Sequence, residues 1–172
     1  KNVIPVTLEL GGKSPQIVFA DADLDAALPY LVNSGIQNAG QTCSAASRIL
    51  VERQVFDDVR ERMAGRYRAL RVGPALADLD VGPLISQRQK GVVERFLGLA
   101  RDGGPRIVAQ GSLALDAPRS GHYVLPTLFE AVPPSHPLAQ EEVFGPVQVL
   151  IAFDGEEQAL QIANGTAYGL VA

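Results

Sequence analysis

The chain has 172 residues, of which 47% are hydrophobic and 20% are charged, and this length is sufficient for one well-packed domain. Its formal net charge of -4 argues against a nucleic-acid surface, because such surfaces need clustered Lys and Arg. One cysteine excludes an internal disulfide framework, and one cysteine with two histidines supplies too few ligands for a typical structural zinc site. We therefore predict no metal site, and the lone cysteine favours a reducing, cytoplasmic compartment.

No apolar run reaches the roughly 18 residues that a membrane-spanning helix requires, and no secretory leader pattern is visible. The chain opens on Lys1 without an initiator methionine and closes on the apolar segment Tyr168–Ala172. We interpret it as part of a longer protein.

The first third of the chain alternates extended and helical patterns. Residues 3–10 predict a strand in which Pro5 indicates an edge or early position. After a turn at residues 11–15, the apolar run 16–20 is typical of a buried parallel strand. Residues 21–23 then predict the N-cap of a helix from about Leu24 to the region of residues 38–40, with a kink or a late start at Pro29.

The same alternation continues to the end of the chain. A buried strand is predicted at 48–52, followed by a helix whose apolar stripe runs from Phe56 to Leu70 and which ends at Gly73-Pro74. After a turn-rich segment to Pro83, we predict a helix from Ser86 closed by residues 102–105, a strand at 107–109 and a loop at 111–121. The last predicted elements are an extended segment at 123–129, a loop through Pro133, Pro134 and Pro137, a strand at 146–153 and a helix at 156–164. This pattern predicts βαβ units and an α/β fold with a largely parallel sheet covered by helices on both faces.

The only cysteine, Cys43, lies in a stretch of small residues, 40–48, between two periodic segments. A small substrate has room to reach such a thiol, so Cys43 is a candidate nucleophile. The alternative is an inert buried cysteine that packs as a small hydrophobe. Local composition alone does not separate these two interpretations, because reactivity depends on what stabilises the thiolate.

A second candidate is Glu9, a carboxylate at a predicted strand end beside Gly11-Gly12. Parallel α/β folds place their sites at such ends, although a solvated glutamate before an ordinary turn has the same pattern. Residues 9 and 43 are separated by one βαβ-sized interval, so both can lie at the same edge of the sheet. This pair suits a thiolate that forms a covalent adduct and a base that later activates water.

Three blocks carry a resemblance to a known family. Residues 8–15 (LELGGKSP) resemble the glutamate signature of the aldehyde dehydrogenase superfamily, residues 40–45 (GQTCSA) its cysteine signature, and residues 140–147 (QEEVFGPV) its block near the nicotinamide. Weaker similarities occur at residues 123–127 and 164–170. The three specific blocks occur in the family's order and span most of the chain.

The resemblance implies an enzyme that oxidises an aldehyde to a carboxylic acid with NAD or NADP. It assigns Cys43 as nucleophile, Glu9 as general base, Glu142 as the ligand of the nicotinamide ribose, Phe144 as a wall of the nicotinamide pocket and Leu10 as a carbonyl near the carboxamide. A looser match suggests Gln89 as an adenosine-side ribose contact. The expected partners are a small aldehyde and, for the full-length protein, further copies of itself.

The resemblance also implies a division of the chain. Residues 1–12 correspond to an interdomain strand that carries the glutamate motif, and residues 13–172 to the catalytic, thiol-bearing domain. No glycine-rich phosphate loop is present, so the cofactor-binding lobe of the family lies outside this sequence. Ile36, seven positions before the cysteine, differs from the residues that the family usually has there. We therefore expect the wall of the substrate tunnel to differ as well.

Three alternatives accompany this interpretation. A coenzyme A-acylating relative would transfer the thioester to a thiol, but that branch usually lacks the glutamate found at Glu9. The isolated chain would be catalytically silent if the cofactor needs the missing lobe. An esterase-like thiol activity would need only Cys43 and Glu9.

Overall fold

A five-stranded sheet forms the centre of the computed structural model, which describes residues 3–101 and 104–171. The strands and helices are β1 (Pro15–Val18), α1 (Leu24–Ile36), β2 (Arg48–Glu52), α2 (Phe56–Ala69), β3 (Arg71–Val72), α3 (Gln87–Gly98), β4 (Arg106–Gln110), β5 (Ser112–Leu113), β6 (Thr127–Glu130), α4 (Pro137–Gln140), β7 (Val147–Phe153) and α5 (Gly155–Asn164). The strand order is β1-β2-β7-β6-β4, and β3 pairs with β5 in a separate two-stranded sheet. In the larger sheet, β4 alone runs antiparallel to its neighbour.

Helices cover both faces of the sheet. Gln148 of β7 donates to the carbonyl oxygen of Leu31 in α1 and accepts from the Tyr67 hydroxyl of α2. Arg48 of β2, which lies beside Val149 in register, instead reaches the carbonyl oxygens at the end of α5. Because adjacent residues of a strand point to opposite faces, α1 and α2 lie on one face and α5 on the other. The predicted fold class is confirmed.

The central strands are buried on both sides, as expected for parallel strands between helices. Ile49, Leu50 and Val51 of β2 have no exposed surface, and six of the seven residues of β7 are buried. β2 occupies the predicted residues. The predicted N-cap of α1 is also confirmed, since the Asp23 carboxylate accepts hydrogen bonds from two main-chain N–H groups of the first turn.

The first predicted strand is wrong. Residues 3–10 have no regular secondary structure, and Ile4, Val6 and Leu8 are each 68% exposed. A strand needs a neighbour to receive its main-chain hydrogen bonds, and no described strand pairs with this segment. The late start at Pro29 is also wrong, because α1 begins at Leu24 and contains the proline.

Several other boundaries also differ from the prediction. Helix α2 ends at Ala69, before Gly73-Pro74, since Leu70 is extended and residues 71–72 pair with β5. β5 itself lies in the predicted loop 111–121, and α4 begins at Pro137 because proline is favoured in the first helical turn. Helix α3 ends at Gly98 and a short 3₁₀ turn follows to Arg101. Of its predicted closing residues, Asp102 and Gly103 lie outside the described residues.

Within the two described ranges, no helix combines the length and apolar character needed to cross a membrane.

Candidate active site

The predicted site residues come together in one open cleft of about 440 Å³. Three segments that are distant in sequence line it. The lining residues are Glu9, Leu10, Gly11, Gln41, Thr42, Cys43, Glu142 and Phe144. All five residues predicted as catalytic or cofactor-binding are therefore neighbours in the fold. Gly11, Gln41 and Thr42, which complete the lining, belong to the same sequence motifs.

The loop that carries Cys43 is fixed at both of its ends. Before the cysteine, Asn38, Ala39 and Gly40 all have left-handed backbone conformations, with φ of 51°, 55° and 71°. A side chain at Gly40 would place its Cβ 2.1 Å from the carbonyl oxygen of Gly145, so only glycine fits there. After the cysteine, the Ala46 N–H donates to Ser34 O at 3.2 Å. The thiol is half-buried at the cleft.

Gln41 braces the same loop through its side chain. Its amide Nε2 donates to Asn38 O at 3.0 Å, and the Asn38 amide returns a hydrogen bond to Gln41 O at 3.0 Å. Its Oε1 accepts from the Ile85 N–H at 2.9 Å. The cysteine loop is thus tied to the segment that precedes α3.

The diglycine connects the segment of Glu9 to both other parts of the cleft. The Gly12 N–H donates to Glu142 Oε1 at 3.1 Å. A Cβ at Gly12 would lie 2.0 Å from the carbonyl oxygen of Cys43, closer than any side chain permits. At Gly11, a Cβ would lie 2.7 Å from Glu142 Oε2. The two glycines therefore allow the main chain to approach both the cysteine loop and Glu142 closely.

The segment 142–144 is held by α3. Phe144 has a left-handed φ of 52°, which is unfavourable for a bulky residue. The Gln89 amide donates to Phe144 O at 2.9 Å and to Val143 O at 3.2 Å. Gln89 itself is placed in the first turn of α3, where its N–H donates to the N-cap oxygen of Ser86. Its predicted contact with an adenosine ribose stays a prediction.

A buried lysine, Lys13, lies next to the diglycine, although no role was predicted for it. Lys13 is 2% exposed. Burial, reinforced by the positive charge of Arg48, lowers the pKa of Lys13 to about 7, although Glu142 and Glu141 oppose the shift. The sequence signal for its burial was limited to its position in the turn that precedes the buried strand predicted at residues 16–20.

Replacing Lys13 with methionine should change how stability depends on pH. The unfolded lysine binds a proton below about pH 10.5 and the folded lysine only below about pH 7, so protonation favours the unfolded state between these values. The free energy of unfolding of the wild type should therefore rise, relative to Lys13→Met, by about 1.4 kcal/mol per pH unit across this window. Denaturant unfolding of both proteins at pH 7, 8 and 9 measures this, and parallel curves would contradict the lowered pKa.

The two histidines do not form part of the cleft. The His136 imidazole Nδ1 accepts from the Leu138 N–H at 3.1 Å and so caps α4. His122 contributes its carbonyl oxygen to a hydrogen bond from the Leu84 N–H. In the described part of the chain, no group of three or more His, Cys, Asp and Glu residues is placed to hold a metal ion.

Comparison with known proteins identifies the family of this chain. A family model described as the aldehyde dehydrogenase family matches residues 1–172. The chain belongs to the aldehyde dehydrogenase family. Among curated family members, a betaine aldehyde dehydrogenase of Cereibacter sphaeroides is 42% identical over 173 residues, which cover 100% of this chain and 35% of that protein. An aldehyde dehydrogenase of Didymella fabae is 41% identical over 170 residues and is covered to 34% of its length.

Solved structures of aldehyde dehydrogenases have the same fold. A candidate aldehyde dehydrogenase from Burkholderia cenocepacia has a TM-score of 0.96 at 59% identity, covering 98% of this chain and 36% of that one. The betaine aldehyde dehydrogenase of Staphylococcus aureus, in complex with NAD+, has a TM-score of 0.87 at 36% identity and covers 95% and 33%. The chain thus spans about a third of the length of the family members it matches.

Proposed function

We propose that this chain forms the catalytic, thiol-bearing part of an NAD(P)-dependent aldehyde dehydrogenase of the hydrolytic type. The observation that supports this most is the single cleft lined by Cys43, Glu9, Glu142 and Phe144. The proposal assigns these four residues as nucleophile, general base, hydroxyl-binding carboxylate and aromatic wall, respectively. The division into an interdomain segment, 1–12, and a catalytic domain, 13–172, is part of the same proposal.

The first chemical step would use Cys43. Its thiolate would attack the aldehyde carbon, forming a carbon–sulfur bond while the carbonyl electron pair moves to the oxygen. The Cys43 N–H is free to stabilise that oxyanion, since none of the described residues accepts a hydrogen bond from it. The small neighbours of Cys43 leave room for the aldehyde.

The residues around Glu142 fit a nicotinamide nucleotide. One oxygen of Glu142 is held by the Gly12 N–H, and the absence of a side chain at Gly11 leaves the space beside the other oxygen open. Carboxylate oxygens accept hydrogen bonds from ribose hydroxyls, and the half-exposed ring of Phe144 offers an apolar wall for the base. Leu10 would contribute its carbonyl oxygen to the carboxamide. NAD(P)+, when bound, would supply the hydride acceptor for the oxidation, and the NAD+ complex of the Staphylococcus aureus relative favours NAD.

The last step would use Glu9. After oxidation, the substrate remains on Cys43 as a thioester. Glu9 lies in the same cleft and would accept a proton from a water molecule as that water attacks the thioester carbon. The carbon–sulfur bond then breaks, and the carboxylic acid and the Cys43 thiolate are released.

Replacing Glu9 with glutamine in the natural protein that contains this chain should separate these steps. The expected result is a rapid burst of about one NADH per thiol followed by a steady state slowed by roughly 10²–10³-fold, because general base catalysis of deacylation is lost. Glu156→Gln, an exposed glutamate in the first turn of α5, is the matched control. If burst and steady state slow by the same factor, Glu9 does not serve deacylation.

A second proposal concerns the 172-residue chain by itself. It spans about a third of its relatives and contains no glycine-rich phosphate loop that would hold a dinucleotide. We expect no NAD-dependent turnover from the purified chain and full turnover from the natural protein. Aldehyde oxidation by the isolated chain at a comparable rate would show that this expectation is wrong.

A further inference from the structure

A second cavity, of about 190 Å³, lies between the starts of β1 and β2 and the segment that follows α5. The residues that matter here are Lys13, Arg48, Pro15, Tyr168, Leu170 and Val171. None of its lining residues belongs to the cleft that contains Cys43. Since a water molecule takes about 30 Å³ in the liquid, the cavity has room for a small organic ion.

Arg48 brings a charge into this cavity without a counter-ion. It is 2% exposed, and no ion pair among the described residues includes it. Its Nε, Nη1 and Nη2 donate at 2.8 Å to the carbonyl oxygens of Lys13, Ile162 and Ala163. A guanidinium has five N–H groups, so two remain for another acceptor.

Lys13 brings the second charge, and it is less well satisfied. Its main-chain oxygen accepts from Arg48, but within the described ranges no residue accepts a hydrogen bond from its ammonium group. The neighbouring Arg48 repels it, and burial adds a desolvation cost, so the pKa of Lys13 falls to about 7. The charges of Glu142 and Glu141 offset only part of this cost, and Arg48 has no ion pair among the described residues. An anion that contacts both buried cations would therefore stabilise them.

We propose that this cavity binds a small aliphatic carboxylate between the Lys13 ammonium and the two remaining N–H groups of Arg48. Charge-assisted hydrogen bonds from an ammonium and a planar guanidinium suit the two oxygens of one carboxylate. Pro15, Leu170 and Val171 supply apolar surface for a short alkyl group. That surface favours a carboxylate over phosphate, which presents oxygens on every side.

The test is a titration of the natural protein with acetate at pH 7, at constant ionic strength, followed by calorimetry and by the melting temperature. Saturable binding of acetate is expected, with none of neutral acetamide. Lys13→Met should weaken acetate binding at least tenfold. The matched control, Lys90→Met, removes a cation of α3 that pairs with Glu94 outside the cavity and should leave the affinity unchanged.

The pH dependence provides a second measurement that a general salt effect would not reproduce. Acetate binds best to protonated Lys13, so its dissociation constant should rise about tenfold between pH 8 and pH 9, above the pKa of about 7. The Lys13→Met protein should show no such rise. Absence of saturable binding, equal affinity in Lys13→Met, or an affinity independent of pH would each overturn the proposal.

Discussion

Replacing Cys43 with serine should reduce aldehyde oxidation by the natural protein roughly 10⁴-fold or more, because the proposed mechanism has no step that bypasses the nucleophile. A hydroxyl is nearly the size of a thiol, but it is far less ionised at neutral pH. The half-buried position of Cys43 tolerates this small change in volume, so the melting temperature should stay close to that of the wild type. Steady-state assays of NADH formation measure the loss.

The neighbouring Ser44 provides the control for this substitution. Ser44 is exposed and does not line the cleft, so Ser44→Ala should retain activity within about twofold. An active Cys43→Ser protein would place the nucleophile elsewhere. If each substitution by itself abolishes activity, the loss would be caused by disruption of the loop and not by removal of the thiol.

Replacing Gly12 with alanine should destabilise the protein more than any other substitution proposed here, and it should also disrupt the candidate active site. The new Cβ would lie 2.0 Å from the carbonyl oxygen of Cys43, and main-chain atoms cannot move aside as a flexible side chain can. We expect a loss of about 3 kcal/mol in the free energy of unfolding, near the upper end for overpacking. The displaced loop and the strained hydrogen bond to Glu142 should together remove most of the activity.

A glycine with free space around it tests whether this effect is specific. Nothing lies within 4 Å of a Cβ built at Gly65 in the middle of α2, so Gly65→Ala should stabilise the protein by about 0.5–1 kcal/mol. Denaturant unfolding of both variants gives the comparison. If Gly12→Ala is as stable and as active as Gly65→Ala, the contact between the diglycine and the cysteine loop is not as close as described.

Sequence patterns predicted those parts of the fold that depend on local physics. The buried strand at 48–52 is a continuous apolar run, and the start of α1 follows from the N-cap at Asp23, which needs only its own first turn. The candidate site residues were assigned through the resemblance of three sequence blocks to the aldehyde dehydrogenase family. They meet in one cleft because residues 9–11, 41–43 and 142–144 precede the parallel neighbours β1, β2 and β7, whose amino ends lie at one edge of the sheet. This is the edge opposite to the carboxyl ends, where open parallel sheets usually place their sites.

The errors concern partners that are distant in sequence. Residues 3–10 have a strand's composition, but pairing depends on a neighbour that no local pattern encodes. The environment of Lys13 depends on Arg48, whose own position is set by hydrogen bonds to Ile162 and Ala163 more than 110 residues later. Such a charge environment becomes visible only when the two ends of the chain are brought together.

The exposed segment 3–10 has a consequence for how the isolated chain is handled. It has no regular secondary structure, and its main chain makes no hydrogen bond to another described residue; exposed main chain of this kind is a preferred site of proteolysis. Cleavage after Glu9 would remove the proposed base and leave Cys43 in its loop. In a preparation cleaved in this way, alkylating reagents would still react with Cys43, although Glu9, the proposed base for thioester hydrolysis, would be lost. Titration of the thiol would therefore overestimate the fraction of intact protein.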